Sequence, residues 1–83
     1  MENIAPIAHD FLRASEKQKD KEGYSNRAEI MEELRLYENP ADDHLQYQTA
    51  ARDLEDRGLI EQVRGSGYEV IQLTGEGKRT IAL

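Results

Sequence analysis

The first apolar stripe of the chain has helical spacing, with members three and four residues apart on one face. These members are Ile4, Ile7, Ala8, Phe11 and Leu12. Asn3 can cap this helix, and Pro6 is tolerated in its first turn. Residues 16–22 alternate in charge sign without an apolar face, and Gly23 follows them. We interpret residues 16–22 as the solvated end of the first helix.

A second helix is predicted over residues 27–37. Asn26 and Glu29 have the spacing of a capping box at its start. One apolar stripe then follows at helical spacing, formed by Ile30, Met31, Leu34 and Tyr37. Asn39 precedes Pro40, and a residue before proline is pushed out of helical geometry. We therefore expect the second helix to stop there.

A third helix is predicted from about residue 43 to residue 57. Asp42 and Asp43 can cap it, and Gln46 is placed to complete a capping box from Asp43. The inward face comprises Tyr47, Ala51 and Leu54, with Ala50 at its edge. Gly58 is the expected end of the helix.

Beyond Gly58 the period changes toward 2, which indicates strands. The alternating positions are Leu59, Glu61 and Val63 on one side and Ile60, Gln62 and Arg64 on the other. The segment Gly65-Ser66-Gly67 supplies the permissive backbone of a tight turn, and residues 68–73 form the returning strand. A two-stranded hairpin is expected.

The chain closes with a short helical turn that Thr74 can cap, although Gly75 and Gly77 each cost about 1 kcal/mol relative to alanine there. We expect one α+β domain over residues 1–83: three helices, a two-stranded hairpin and this turn. The expected core consists of the inward positions of these elements: Ile7, Phe11, Ile30, Leu34, Tyr47, Leu54, Leu59, Val63 and Ile71.

Composition limits the functional classes. Hydrophobic residues make up 37% of the chain and charged residues 34%, which is typical of a small globular domain rather than a disordered or membrane protein. No basic start leads into an apolar segment, so we expect no signal peptide and a cytoplasmic location. The chain has no cysteine, which excludes disulfides and thiolate metal sites.

Motifs for catalysis or for cofactors are missing from the sequence. His9 and His44 do not have a metal-ligand spacing, and adjacent His9 and Asp10 point about 100° apart on a helix. No Gly-x-Ser-x-Gly, phosphate loop or dinucleotide fingerprint occurs. We expect neither an enzyme nor a metal or cofactor site.

Three segments resemble the winged helix-turn-helix superfamily. Residues 23–30, Gly-Tyr-Ser-Asn-Arg-Ala-Glu-Ile, resemble the approach to the second helix in the DNA-binding domain of LexA-type repressors, where a short extended stretch precedes Arg-Ala-Glu-Ile. Residues 51–60 are similar to the end of the recognition helix and the first wing strand of winged-helix regulators. Residues 73–79 resemble the Leu-Thr-x-x-Gly-Arg/Lys segment after the wing in MarR-like and PadR-like proteins.

The resemblance covers nearly the whole chain and implies a winged-helix transcription regulator that binds double-stranded DNA. Its third helix would lie in the major groove, with an outward face that can hydrogen-bond to bases. Arg64 at the wing would contact the backbone or the minor groove, where the amides of the Gly65-Ser66-Gly67 turn can approach closely. The expected DNA-binding residues are His44, Gln46, Gln48, Thr49, Arg52, Arg64 and Ser66.

Charge leaves an alternative open. The net charge is −6, and residues 1–58 hold 14 acidic against 8 basic residues, whereas residues 59–83 hold 3 of each. DNA-binding domains usually carry a basic surplus. The third helix is acidic too, with Asp42, Asp43, Asp53 and Asp56. The alternative is a winged helix that binds a protein through the same face.

A DNA-binding form is expected to be a homodimer, because one module contacts only a few base pairs and paired half-sites add specificity. The first helix and residues 80–83 are the apolar surfaces available for pairing.

Overall fold

Four helices and three strands lie within residues 6–65 and 68–82, the part of the chain that the computed structural model describes. In chain order they are α1 (Pro6–Gln18), β1 (Tyr24–Asn26), α2 (Arg27–Glu33), α3 (Pro40–Asp56), β2 (Ile60–Gly65), β3 (Tyr68–Leu73) and α4 (Gly75–Ile81). The α+β class is thereby confirmed. The expected cap at Asn3 and the contribution of Ile4 fall outside the described residues. None of the described helices is long and apolar enough to cross a membrane.

The strands form an antiparallel sheet in the order β1-β3-β2. The predicted hairpin is confirmed: β2 pairs with β3 from Ile60 opposite Leu73 to Gly65 opposite Tyr68. On its other edge, β3 pairs with β1, and Ser25 lies opposite Ile71. The sheet therefore has three strands rather than the expected two. The strand that was not predicted is β1, because three residues are too few to show a period in the sequence.

The second helix is shorter than expected and ends at Glu33 rather than at Tyr37. Two hydrogen bonds close its end, from Arg35 N to Glu32 O at 3.0 Å and from Leu36 N to Met31 O at 2.8 Å. This is a Schellman motif, and it requires a left-handed residue at the position of Arg35, whose φ is 58°. Leu36 is buried as a result, whereas Tyr37 is 62% exposed and leaves the predicted stripe.

The third helix begins three residues earlier than predicted, at Pro40. Proline suits the first helical position because the N–H that it lacks would have no partner there. Asp42 and Asp43 are therefore not the cap. Instead, the buried Asp43 carboxylate accepts a hydrogen bond from the backbone N of Asn39 at 2.9 Å. The predicted end is confirmed, since Gly58 follows Asp56 and Arg57 with a left-handed φ of 75°.

The core lies between α1, α2, α3 and the inner face of the sheet. Of the nine expected core residues, five are buried: Phe11, Ile30, Tyr47, Leu54 and Ile71. Ile7, Leu34 and Leu59 are half-buried at its edge. Val63 is 37% exposed, so its assignment was wrong, and Ile60 takes the inward position of β2. Leu12, Leu36 and Leu73 complete the larger members of the core.

Candidate nucleic-acid interface

The outward face of α3 is the surface that the sequence predicts to contact DNA. Tyr47, Ala50, Ala51 and Leu54 point inward, which leaves the opposite side of the helix in solvent. Leu45 is 63% exposed there. A shallow groove of about 280 Å³ runs along this face, lined by Leu45, Gln48, Thr49, Arg52, Asp53 and Asp56. This groove thus brings together three of the expected DNA-binding residues, Gln48, Thr49 and Arg52.

Arg52 is available to a partner, since it has neither a hydrogen bond nor an ion pair within the described part of the chain. Asp53, by contrast, pairs with Arg57 one helical turn later, at 3.0 Å between its Oδ1 and the arginine Nε. Asp56 is exposed on the same face. The groove therefore combines one uncommitted cation, Arg52, with acidic side chains.

Gln46 and His44 do not share this groove. Gln46 is exposed on the side of α3 that faces α1, where it lines a separate groove of about 580 Å³ together with Arg13 and Arg35. His44 lies at the start of α3, and its Nδ1 accepts a hydrogen bond from the Arg27 guanidinium. His44 is thus hydrogen-bonded to the first residue of α2, and it remains exposed.

Arg64 lies on the hairpin, directly opposite Glu69 in the β2–β3 register. Its Nε is 3.6 Å from Glu69 Oε1, and its Nη2 donates to Gln62 Oε1 at 3.1 Å. The arginine side chain remains 68% exposed, so it can reach a partner beyond the sheet. Ser66, the other expected residue of the wing, lies outside the described residues.

Arg27 contacts both α3 and β3 and was not among the residues expected at this surface. Its guanidinium lies 4.8 Å from the centre of the Tyr47 ring, and its Nη1 is 3.6 Å from Glu69 Oε2. The stacking of a cation over an aromatic face holds Arg27 against α3. Only the pairing of β1 with β3, which places Asn26 opposite Val70, brings Arg27 beside Glu69. The sequence carries no signal for that pairing.

Tyr47 joins the core to this charged surface. The side chain is 1% exposed, and its ring packs against Phe11 with 5.2 Å between ring centres. No hydrogen-bond partner for its hydroxyl is found among the described residues. Burial raises the pKa of the Tyr47 phenol well above its usual range, the Glu69 carboxylate raises it further, and Arg27 and Arg64 lower it.

Removing this hydroxyl is expected to stabilise the protein. Tyr47→Phe should raise the free energy of unfolding by about 1 kcal/mol, because a buried hydroxyl without a partner costs about that much. Urea denaturation followed by circular dichroism measures the change. Tyr37→Phe, which alters an exposed tyrosine, is the control and should leave the value unchanged. A loss of stability in Tyr47→Phe would mean that the hydroxyl has a partner after all.

The stability of the same two variants should also depend differently on alkaline pH. Because the pKa of Tyr47 is raised in the folded state, the unfolded chain loses this proton first as the pH rises above about 10. Stability associated with Tyr47 is therefore present below that pH and is lost above it. Tyr47→Phe should lose less stability between pH 9 and pH 11 than Tyr37→Phe does, by roughly 1 kcal/mol. Equal losses in the two variants would contradict the burial of the phenol.

No group of histidine and carboxylate side chains in the described ranges could hold a metal ion. No protein-family model matches the chain, and no curated protein or solved structure is detectably similar to it.

Proposed function

We propose that the chain is a winged helix-turn-helix protein that binds double-stranded DNA and acts in transcription regulation. In this proposal α3 is the recognition helix and the β2–β3 hairpin is the wing. Support comes from the order of elements, three helices followed by a hairpin, and from the packing of the hairpin against α3. A helix of roughly 10–12 Å diameter fits the major groove, which is about 12 Å wide.

The observation that carries the proposal is the uncommitted set Gln48, Thr49 and Arg52 on one exposed helix face. Arginine forms two hydrogen bonds with guanine and glutamine forms two with adenine, whereas threonine suits either base. Leu45 adds an apolar contact suited to a thymine methyl group.

The roles of α3 and of the hairpin predict different losses. Arg52→Ala should weaken binding to a selected duplex by about 1–3 kcal/mol and relax preference at one base step. Arg64→Ala should weaken all duplexes alike and reduce the salt slope by about one unit, because its contact is with phosphate. Arg13→Ala removes the same charge from an exposed site on α1 and is the matched control. Its binding should follow that of the parent.

The measurement uses fluorescent duplexes, one enriched from a random-sequence pool and one scrambled, titrated at two salt concentrations. Binding that weakens steeply with salt is the signature of phosphate contacts. If Arg52→Ala and Gln48→Ala bind both duplexes as tightly as the parent does, α3 is not the reading element.

The acidic character of the surface favours a second candidate, a module that binds a protein through the α3 face. Asp53 and Asp56 border the groove, and the whole chain carries a charge of −6. An exposed leucine bordered by carboxylates suits a basic protein surface better than it suits a phosphate backbone. Failure of the parent to bind any duplex at low salt would leave this candidate as the function of the face.

A further inference from the structure

Three charged side chains form a row across one end of the sheet. Glu69 belongs to β3, the central strand, with Arg64 beside it on β2 and Arg27 immediately after β1. One carboxylate oxygen of Glu69 is 3.6 Å from Arg27 Nη1, and the other is 3.6 Å from Arg64 Nε. A single carboxylate thus lies between two guanidinium groups. We call these three residues the arginine pair and its central glutamate.

This row adjoins the start of the proposed recognition helix. Arg27 stacks on Tyr47 and donates to His44, and both of those residues belong to α3. Arg64 extends into solvent from the hairpin. The arginine pair therefore lies between the two elements that would contact DNA in the proposed function.

The contacts of Glu69 with the arginine pair are ion pairs rather than close hydrogen bonds. At 3.6 Å, each nitrogen–oxygen distance exceeds the usual range of about 2.7–3.2 Å for N–H···O bonds. The Arg64 side chain is largely exposed, and ion pairs of exposed side chains contribute little stability. Guanidinium groups bind phosphate with the same geometry as carboxylate, so a phosphate can take the place of Glu69.

We propose that Glu69 is an internal competitor of DNA, holding Arg27 and Arg64 in the free protein at the place that a backbone phosphate occupies in the complex. This inference rests on the proposed function and adds Arg27 and a built-in limit on affinity to it. Glu69 lowers affinity for every duplex without changing sequence preference, since phosphate contacts carry no base information. The protein would thus remain on DNA only where α3 also finds its bases.

The test compares Glu69→Gln with Glu61→Gln. Both variants change the net charge from −6 to −5, but Glu61 is exposed on β2 and has no ion pair within the described residues. Glu69→Gln should tighten binding to the enriched and the scrambled duplex alike, by about tenfold. It should also steepen the salt slope by about 0.9–1.8, because one or two more phosphates are engaged. Glu61→Gln should change affinity less than about twofold.

A second readout needs no DNA. The side-chain Nε–Hε resonances of Arg27 and Arg64 should shift in Glu69→Gln and stay in place in Glu61→Gln. Amide spectra establish whether each variant is folded. If Glu69→Gln is unfolded, Glu69→Ala takes its place. Adding Arg27→Ala to Glu69→Gln should abolish most of the gain in affinity.

The outcomes separate the inference from the function on which it rests. If the parent binds duplex and Glu69→Gln binds no more tightly than Glu61→Gln, the competitor role is overturned and DNA binding stands. If neither the parent nor Glu69→Gln binds any duplex at low salt, both are overturned, even where the arginine resonances shift as expected.

Discussion

Leu54→Ala is expected to lower the free energy of unfolding by about 2–5 kcal/mol. Leu54 is fully buried on the inward face of α3, in the cluster that contains Phe11 and Ile30. Truncation removes apolar area from the core and leaves a cavity that its neighbours fill only in part. A small domain with a total stability of about 5–15 kcal/mol would lose a large share of it.

Leu45→Ala is the matched control for this prediction. It is the same substitution on the same helix, but Leu45 is 63% exposed, so its truncation should change stability by less than about 0.5 kcal/mol. Urea denaturation of both variants, followed by circular dichroism, gives the comparison. If the two midpoints fall together with that of the parent, α3 does not pack through the face assigned to it.

The helical period was sufficient to orient α3. Tyr47, Ala51 and Leu54 were expected on the inward face and are buried there. The same rotation predicted that Gln48, Thr49 and Arg52 share the outward face, as the structure places them. Side chains 100° apart along a helix fix both faces at once, so one correct inward residue orients the whole surface.

The strand period was less informative, because it specifies alternation but not which side is buried. Leu59 and Val63 were assigned to the core, yet Ile60 is the buried residue of β2 and Val63 is exposed. A shift of one residue moves every side chain of a strand to the other face. The two alternating series begin with Leu59 and Ile60, both large aliphatic residues, so the sequence offered no basis for choosing between them.

Two features depend on tertiary structure and could not be derived from local pattern. The left-handed position that ends α2 is taken by Arg35, where glycine or asparagine would have been the recognisable signal. The row of Arg27, Glu69 and Arg64 depends on strand order, since it forms only when β3 lies between β1 and β2. Neither the backbone angle of an arginine nor the pairing of distant strands produces a periodic pattern in the sequence.

Gly77 lowers the helix propensity of α4, but close packing against Leu59 requires a glycine at this position. Gly77 is buried, and a Cβ atom there would lie 2.1 Å from the carbonyl oxygen of Leu59. That oxygen accepts a hydrogen bond from the backbone N of Thr74 at 3.0 Å, so it cannot shift without losing the bond. Helix propensity alone favours alanine over glycine by about 1 kcal/mol. At Gly77 the steric clash outweighs that preference.

Gly77→Ala is therefore expected to lower the free energy of unfolding by about 2 kcal/mol or more, since overpacking costs about 1–3 kcal/mol and occasionally more. Gly75→Ala is the matched control in the same helix. A Cβ at Gly75 would have its nearest contact with the flexible end of Arg79 at 3.7 Å, so alanine should raise stability by up to about 1 kcal/mol there. The midpoints of thermal and of urea denaturation should therefore fall for Gly77→Ala and rise for Gly75→Ala, relative to the parent. A Gly77→Ala protein as stable as Gly75→Ala would show that α4 does not pack closely against Leu59.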